Sequence, residues 1–106
     1  MREATYQHYL IGMLRETFPG AVVLKNDSGY TQGIPDLLVL YRDRWAMLEV
    51  KPAEGSREQP NQRYYVELLD DMSYAAFIYP ENEEEVLNDL QHLFTPRRQA
   101  RVSQRI

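Results

Sequence analysis

Two apolar runs, Leu37-Leu38-Val39-Leu40-Tyr41 and Trp45-Ala46-Met47-Leu48, are separated only by Arg42-Asp43-Arg44. A separation that short reads as a β-hairpin, which brings the flanks of both runs together. If Arg42 and Asp43 form a two-residue loop, Tyr41 pairs with Arg44 and, counting outward, Asp36 pairs with Glu49. The strand period of two then places Glu49 and Lys51 on one face, so register alone predicts that Asp36, Glu49 and Lys51 converge. Two bare carboxylates that close repel each other unless a cation sits between them. A hard divalent ion with oxygen ligands, Mg²⁺ or Mn²⁺, suits such a pair.

A strand glutamate two residues from a lysine is commonplace on a solvated sheet face, where the pair contributes little. The surrounding residues argue against that reading here. Glu49 and Lys51 flank Val50 at the end of a run too apolar for a solvated edge, and Asp36 opens the other run. Charges at the boundary of a buried sheet require a partner or a task.

The rest of the chain reads as a single α/β unit without repeats or low-complexity stretches. A first helix is expected over about Glu3 to Thr17, ending before Pro19-Gly20, and Ala21 to Leu24 form a short strand. The stretch from Asn26 to Gly33, rich in Asn, Asp, Ser, Thr and Gly, is a loop that delivers the chain to Asp36. After the hairpin, Ala53 to Gln59 form a polar connection. Pro60 suits the first turn of a helix to about Met72, whose inward stripe would be Tyr65, Leu68, Leu69 and Met72. A strand from Tyr74 to Tyr79 follows. Pro80 then precedes a last helix, about Glu83 to Phe94, with Val86, Leu87, Leu90 and Leu93 or Phe94 buried. Strand, crossover helix and strand imply a parallel pair, and hence a small mixed β-sheet flanked by helices. The domain is expected to occupy residues 1–95, with a basic tail over 96–106.

A chain of 106 residues is enough for one core. The absence of cysteine excludes disulfide stapling, zinc–thiolate sites and thiol catalysis. No apolar segment is long enough to span a membrane, and the start is polar rather than a signal sequence, so a cytoplasmic protein is expected. Arg97, Arg98, Arg101 and Arg105 collect near the end, so a net charge of −4 leaves about −8 on the remainder. Such a tail either neutralises phosphates or remains a solvated end. An acidic body still admits a nucleic-acid partner, because clustered carboxylates that hold a cation present positive charge to a phosphate.

Several other residues invite functional readings and do not carry them. His8 and His92 lack ligand spacing. Tyr41, Tyr65 and Tyr79 fall where core or strand positions are expected, and Glu83-Glu84-Glu85 fits a helix N-terminus. Tyr30, in the loop before Asp36, is the one tyrosine expected to contact a nucleic acid.

Taken in order, Gly33-x-Pro35-Asp36, Glu49-x-Lys51 and Pro60-x-Gln62 at a helix start resemble the virus-type replication-repair nuclease (VRR-NUC) domain. That family is a branch of the PD-(D/E)XK nuclease superfamily. The resemblance runs from Glu3 to about Tyr79, with Ser73 departing where the family usually has glycine after the second helix. It implies a restriction-endonuclease-like core in which Asp36, Glu49 and the carbonyl of Val50 hold Mg²⁺ or Mn²⁺. Lys51 would assist the nucleophile or transition state, and Gln62 would support the site. The family also carries an acidic residue on its first helix, for which Glu3 and Glu16 are the candidates. At about 100° per residue, Gln7, Leu10, Leu14 and Phe18 lie within about 60° of Glu3, whereas Glu16 lies on the far side. Glu3 is therefore the expected ligand. The resemblance implies a metal-dependent deoxyribonuclease, an endonuclease acting on branched DNA such as Holliday junctions, working as a homodimer. Lys25 stands where the family often has a basic residue and, with Arg97, Arg98 and Arg101, is a candidate DNA contact. Two rival readings are a non-cleaving nucleic-acid-binding module on a nuclease fold, and a phage-type interaction protein whose acids only bind a stabilising cation.

Overall fold

The computed structural model describes residues 2–96. Helix α1 (Glu3–Thr17) leads into strands β1 (Val22–Lys25), β2 (Leu37–Tyr41) and β3 (Arg44–Val50). Helix α2 (Gln62–Met72), strand β4 (Ala75–Ile78), a 3₁₀ turn (Pro80–Asn82) and helix α3 (Glu83–Phe94) follow. The sheet order is β1-β2-β3-β4, with the first three strands antiparallel and β4 parallel to β3 across the α2 crossover. The result is a small mixed sheet with three helices. Among the described residues, no helix is long and apolar enough to cross a membrane.

The hairpin register is the one its sequence implies. Tyr41 pairs with Arg44 and Leu37 with Leu48, and Arg42 opens the turn with φ of 59°. Alternation along the strands then sorts the side chains onto two faces. On one face Leu37, Val39, Ala46, Leu48, Val50 and Ile78 are buried in one core with Tyr6, Leu10, Leu14 and Phe18 of the α1 segment and Val86, Leu90 and Phe94 of α3. Phe18, Tyr41 and Phe94 meet ring to ring at 5.1–5.8 Å. Tyr6, which α1 periodicity sets three residues after Glu3, is buried, and its hydroxyl donates to Glu83 Oε1 at 2.9 Å. Burial and the acceptor carboxylate raise the pKa of that phenol. Glu83 thereby joins α1 to the start of α3 as well as complementing the α3 dipole.

The opposite face carries Glu49 and Lys51, and α2 packs on it against β3 and β4. Val22, Leu24 and Leu40, toward the β1 edge, stay exposed. Helix α2 differs from expectation in two respects. It begins at Gln62, because Asn61 takes the left-handed φ of 71° and so keeps Pro60 outside the helix. Its fully buried residue is Val66, with Tyr65, Leu68 and Leu69 only half-buried, and Met72 is 64% exposed. The inward stripe centres on Gln62, Val66 and Leu69, and at about 100° per residue Met72 lies about 80° from Gln62. Gln62 thus sits on the sheet-facing side of this helix, where its amide makes polar contacts. Strand β1 begins one residue later than expected, and β4 is shorter by one residue at each end. Ser73 closes α2 with a negative φ of −151°, so the left-handed conformation that favours glycine is not used there. Its Oγ donates to the Trp45 carbonyl at 2.5 Å and ties the helix end to β3.

One close approach locks the loop before β2 to the start of α2. Gly33 has φ of +92°, and a Cβ there would stand 2.5 Å from Asn61 Cβ and 2.7 Å from its carbonyl carbon. Gly33→Ala is expected to cost more than the roughly 1–2 kcal/mol of a left-handed alanine, because backbone must also move. Gly20→Ala, at the same φ with nothing within 4 Å, should cost only the backbone part. Urea unfolding of both variants checks the difference; equal losses would remove the proposed lock.

Candidate active site

The sheet face under the N-terminus of α2 opens into a cleft of about 470 Å³. Glu3, Asp36, Glu49, Lys51 and Gln62, five of the residues singled out from the sequence, all line it. Glu49 is at the end of β3 and only 2% exposed, and Lys51 follows the strand at 6%. Gln62, the first residue of α2, bridges the two. Its Nε2 donates to Glu49 Oε2 at 2.9 Å, and its Oε1 accepts from Lys51 Nζ at 2.8 Å. The Lys51 ammonium also donates to the Arg57 carbonyl at 3.0 Å and stands 3.9 Å from Glu49 Oε2. A bare buried ion pair leaves donors and acceptors unmet, and the amide of Gln62 is the group that meets both sides.

Asp36 lies one residue before β2, where the hairpin register continues to Glu49. Its Oδ2 accepts from the Val50 N–H at 2.8 Å, an amide directed toward β2 just beyond the last pair of the ladder. The Asp36 backbone is fixed in turn by Asn26, whose N–H donates to the Asp36 carbonyl at 2.8 Å and whose Nδ2 donates to the Pro35 carbonyl at 2.8 Å. Asn26 is a positioning residue that composition could not single out, because in sequence it is one more polar residue of a loop. Its place opposite Asp36 emerges only from the pairing of β1 with β2.

Electrostatics at the pair are dominated by burial. Desolvation, followed by the charge and hydrogen bonding of Asp36, pushes the Glu49 carboxyl up to about 8, against a smaller opposing effect of Lys51. Glu3 is raised in the same way, first by burial and then by Asp36. Glu49 Oε1 is buried and has no hydrogen-bond donor. An acceptor-only oxygen facing a second carboxylate is relieved by a proton or a cation, and hard oxygen donors fit Mg²⁺ or Mn²⁺. Among the described residues, no three acids or histidines close into a ligand shell by themselves. Mg²⁺ commonly keeps several waters alongside one or two carboxylates, so Asp36 and Glu49 with Glu3 at the rim remain a compatible set.

The other sequence candidates are placed differently. Val50 is buried in the core, where it is tied to Asp36 through its amide, and does not line the cleft. Glu16 is exposed on α1, away from the cleft. Lys25 ends β1 and is exposed, and Tyr30 is 91% exposed; neither lines the cleft, although Ser28 of the same loop does. Arg97, Arg98 and Arg101 lie outside the described residues.

The raised Glu49 carboxyl has a pH consequence. The folded state holds a proton that the unfolded state releases near the ordinary carboxylate value of 4.5, so stability without metal is full below that value. It declines as pH rises through about 8. Melting in chelator should fall by several degrees between pH 5 and 8.5, with Mg²⁺ or Mn²⁺ restoring much of the loss at the upper end. Glu49→Gln should flatten both responses. A wild-type melting temperature that rises over this range would contradict the raised Glu49 carboxyl. No family model, curated protein or solved structure matches the chain.

Proposed function

We propose that the chain is a metal-dependent deoxyribonuclease of the VRR-NUC type, with a restriction-endonuclease-like arrangement of its sheet and helices. The observation that carries this reading is the buried Glu49–Gln62–Lys51 bridge beside Asp36, in a cleft open to solvent. A protein that needed only a stable sheet would gain more from apolar residues at these positions, since buried ion pairs often stabilise less than hydrophobic replacements. Groups held this expensively are the usual mark of chemistry.

In this reading Asp36 and Glu49 hold the divalent ion, with Glu3 contributing from the rim. When bound, the ion supplies Lewis-acid stabilisation of phosphoryl oxygens and lowers the pKa of adjacent water. Gln62 holds Glu49 through Oε2, leaving Oε1 without a hydrogen-bond partner. Lys51 offers a fixed positive charge to the pentacovalent phosphate. Its ammonium donates to two acceptors and has no lone pair to take a proton, so its role is orientation and charge stabilisation rather than general-base catalysis. The Val50 N–H fixes the Asp36 carboxylate through Oδ2.

Branched DNA such as a four-way junction is the proposed substrate and a two-fold homodimer the proposed form, because symmetric incision of two strands requires two active sites. The test is incubation of the protein with linear duplex, single-stranded, flap and four-way-junction DNA in Mg²⁺, Mn²⁺ or chelator. Cleavage is expected only with divalent metal. Asp36→Asn and Glu49→Gln should lower it by on the order of a hundredfold or more while the fold persists. Binding without cleavage of any of these DNAs would leave a binding module instead.

The two acids of α1 provide a further comparison. Glu3 lines the cleft and Glu16 does not, so Glu3→Gln should reduce turnover at limiting Mg²⁺ by about tenfold and Glu16→Gln should be near neutral. Identical Mg²⁺ titration curves for the two variants would discard Glu3 as a participant.

A further inference from the structure

The cleft is lined by two cations that are engaged very differently. Lys51 is buried, with two of its three donors committed to the Arg57 carbonyl and Gln62 Oε1 and with Glu49 close by. Arg57 lines the same cleft, is exposed, and forms no ion pair among the described residues. Its acidic neighbour Glu58 does not neutralise it. That carboxylate is held by Arg63 through a pair of hydrogen bonds, chiefly responsible for lowering its pKa.

The backbone around Arg57 is fixed on both sides. Ser56 Oγ donates to the Ala53 carbonyl at 2.6 Å, the Gln59 N–H donates to Gln62 Oε1 at 2.8 Å, and the Arg57 carbonyl itself holds Lys51. Gln62 Oε1 therefore serves both Lys51 and the loop that carries Arg57. Arg57 is therefore carried beside the cleft on an anchored segment, which limits the ordering cost of using its side chain.

We propose that Arg57 is a phosphate-contacting residue that grips a phosphodiester adjacent to the one being cleaved. The substrate is then a strand with successive phosphates rather than an isolated phosphodiester. This assignment rests on the nuclease reading of the same cleft. Glu49 and Lys51 form the buried part of its lining, whereas Arg57 is exposed, and a cleft of about 470 Å³ has room for more than one phosphate group. A guanidinium matches a phosphate with two parallel hydrogen bonds, and it offsets the repulsion that three lining carboxylates exert on a polyanion.

The experiment compares wild type, Arg57→Ala and Arg57→Lys, each checked for an unchanged melting profile. The first measurement is anisotropy of a short fluorescein-labelled DNA duplex in Ca²⁺ across a salt series. Arg57→Ala should weaken binding by about tenfold and reduce the salt slope by about 0.9. Arg57→Lys should recover the slope but only part of the affinity. The second measurement is kcat/KM on an oligonucleotide and on bis(4-nitrophenyl) phosphate, which has a single phosphate. The Arg57→Ala penalty should be at least threefold larger on the oligonucleotide, chiefly through KM. Wild-type affinity and slope in Arg57→Ala would overturn the contact, and equal penalties on both substrates would overturn its assignment to a flanking phosphate. If wild type cleaves neither substrate, the nuclease reading fails while the binding series still decides the phosphate contact.

Discussion

The interaction on which the site depends is the two-sided hydrogen bonding of Gln62. One amide donates to Glu49 and accepts from Lys51, and the same carbonyl oxygen accepts the Gln59 N–H. Removing Glu49 or Lys51 would leave one side of the Gln62 amide without its partner, and an unmet buried polar group costs about 1–3 kcal/mol. The bridge therefore constrains more than two side chains. It holds Gln62 against Glu49 and Lys51 on the same side of α2 as Val66 and Leu69, while Met72, the last residue of the helix, is left in solvent.

A second constraint comes from the end of β2. The ladder stops at Leu37, and the next amide of β3 is taken by the carboxylate of Asp36 instead of by a strand carbonyl. Ending the strand there converts a backbone requirement into a means of aiming a side chain. Asn26 completes the device by holding the Pro35 and Asp36 carbonyls, and the Gly33–Asn61 approach brings the same loop against the start of α2. The carboxylate, the amide and the ammonium are thus positioned by three different segments that touch one another.

The two faces of the sheet divide the physical work. Core formation is assigned to the face beneath α1 and α3, where Leu10, Leu14, Leu37, Leu48 and Leu90 are fully buried. That division allows the opposite face to hold Glu49 and Lys51 without sacrificing the main apolar core. Burial, and after it the proximity of Asp36, raises the Glu49 pKa, so the face that contributes least to packing is the one that responds to protons and cations.

Much of this was legible in the residues themselves. The short separation of two apolar runs determined the hairpin register and with it the approach of Asp36 to Glu49, because a two-residue turn admits one pairing and the strand period is two. Helical periodicity likewise selected Glu3 over Glu16 and defined α1 and α3. Periodicity misplaced the stripe of α2, because apolar counting is blind to an amide that bonds two buried charges. The place of Asn26 opposite Asp36 and the anchoring of Arg57 beside the cleft were not legible at all, since each is an ordinary loop residue until pairing and hydrogen bonding place it. Sequence by itself determined which charged groups would meet; only the tertiary structure decided how they are held, because the hydrogen bonds that satisfy them come from a connecting loop and a helix start that packing alone brings against the strand.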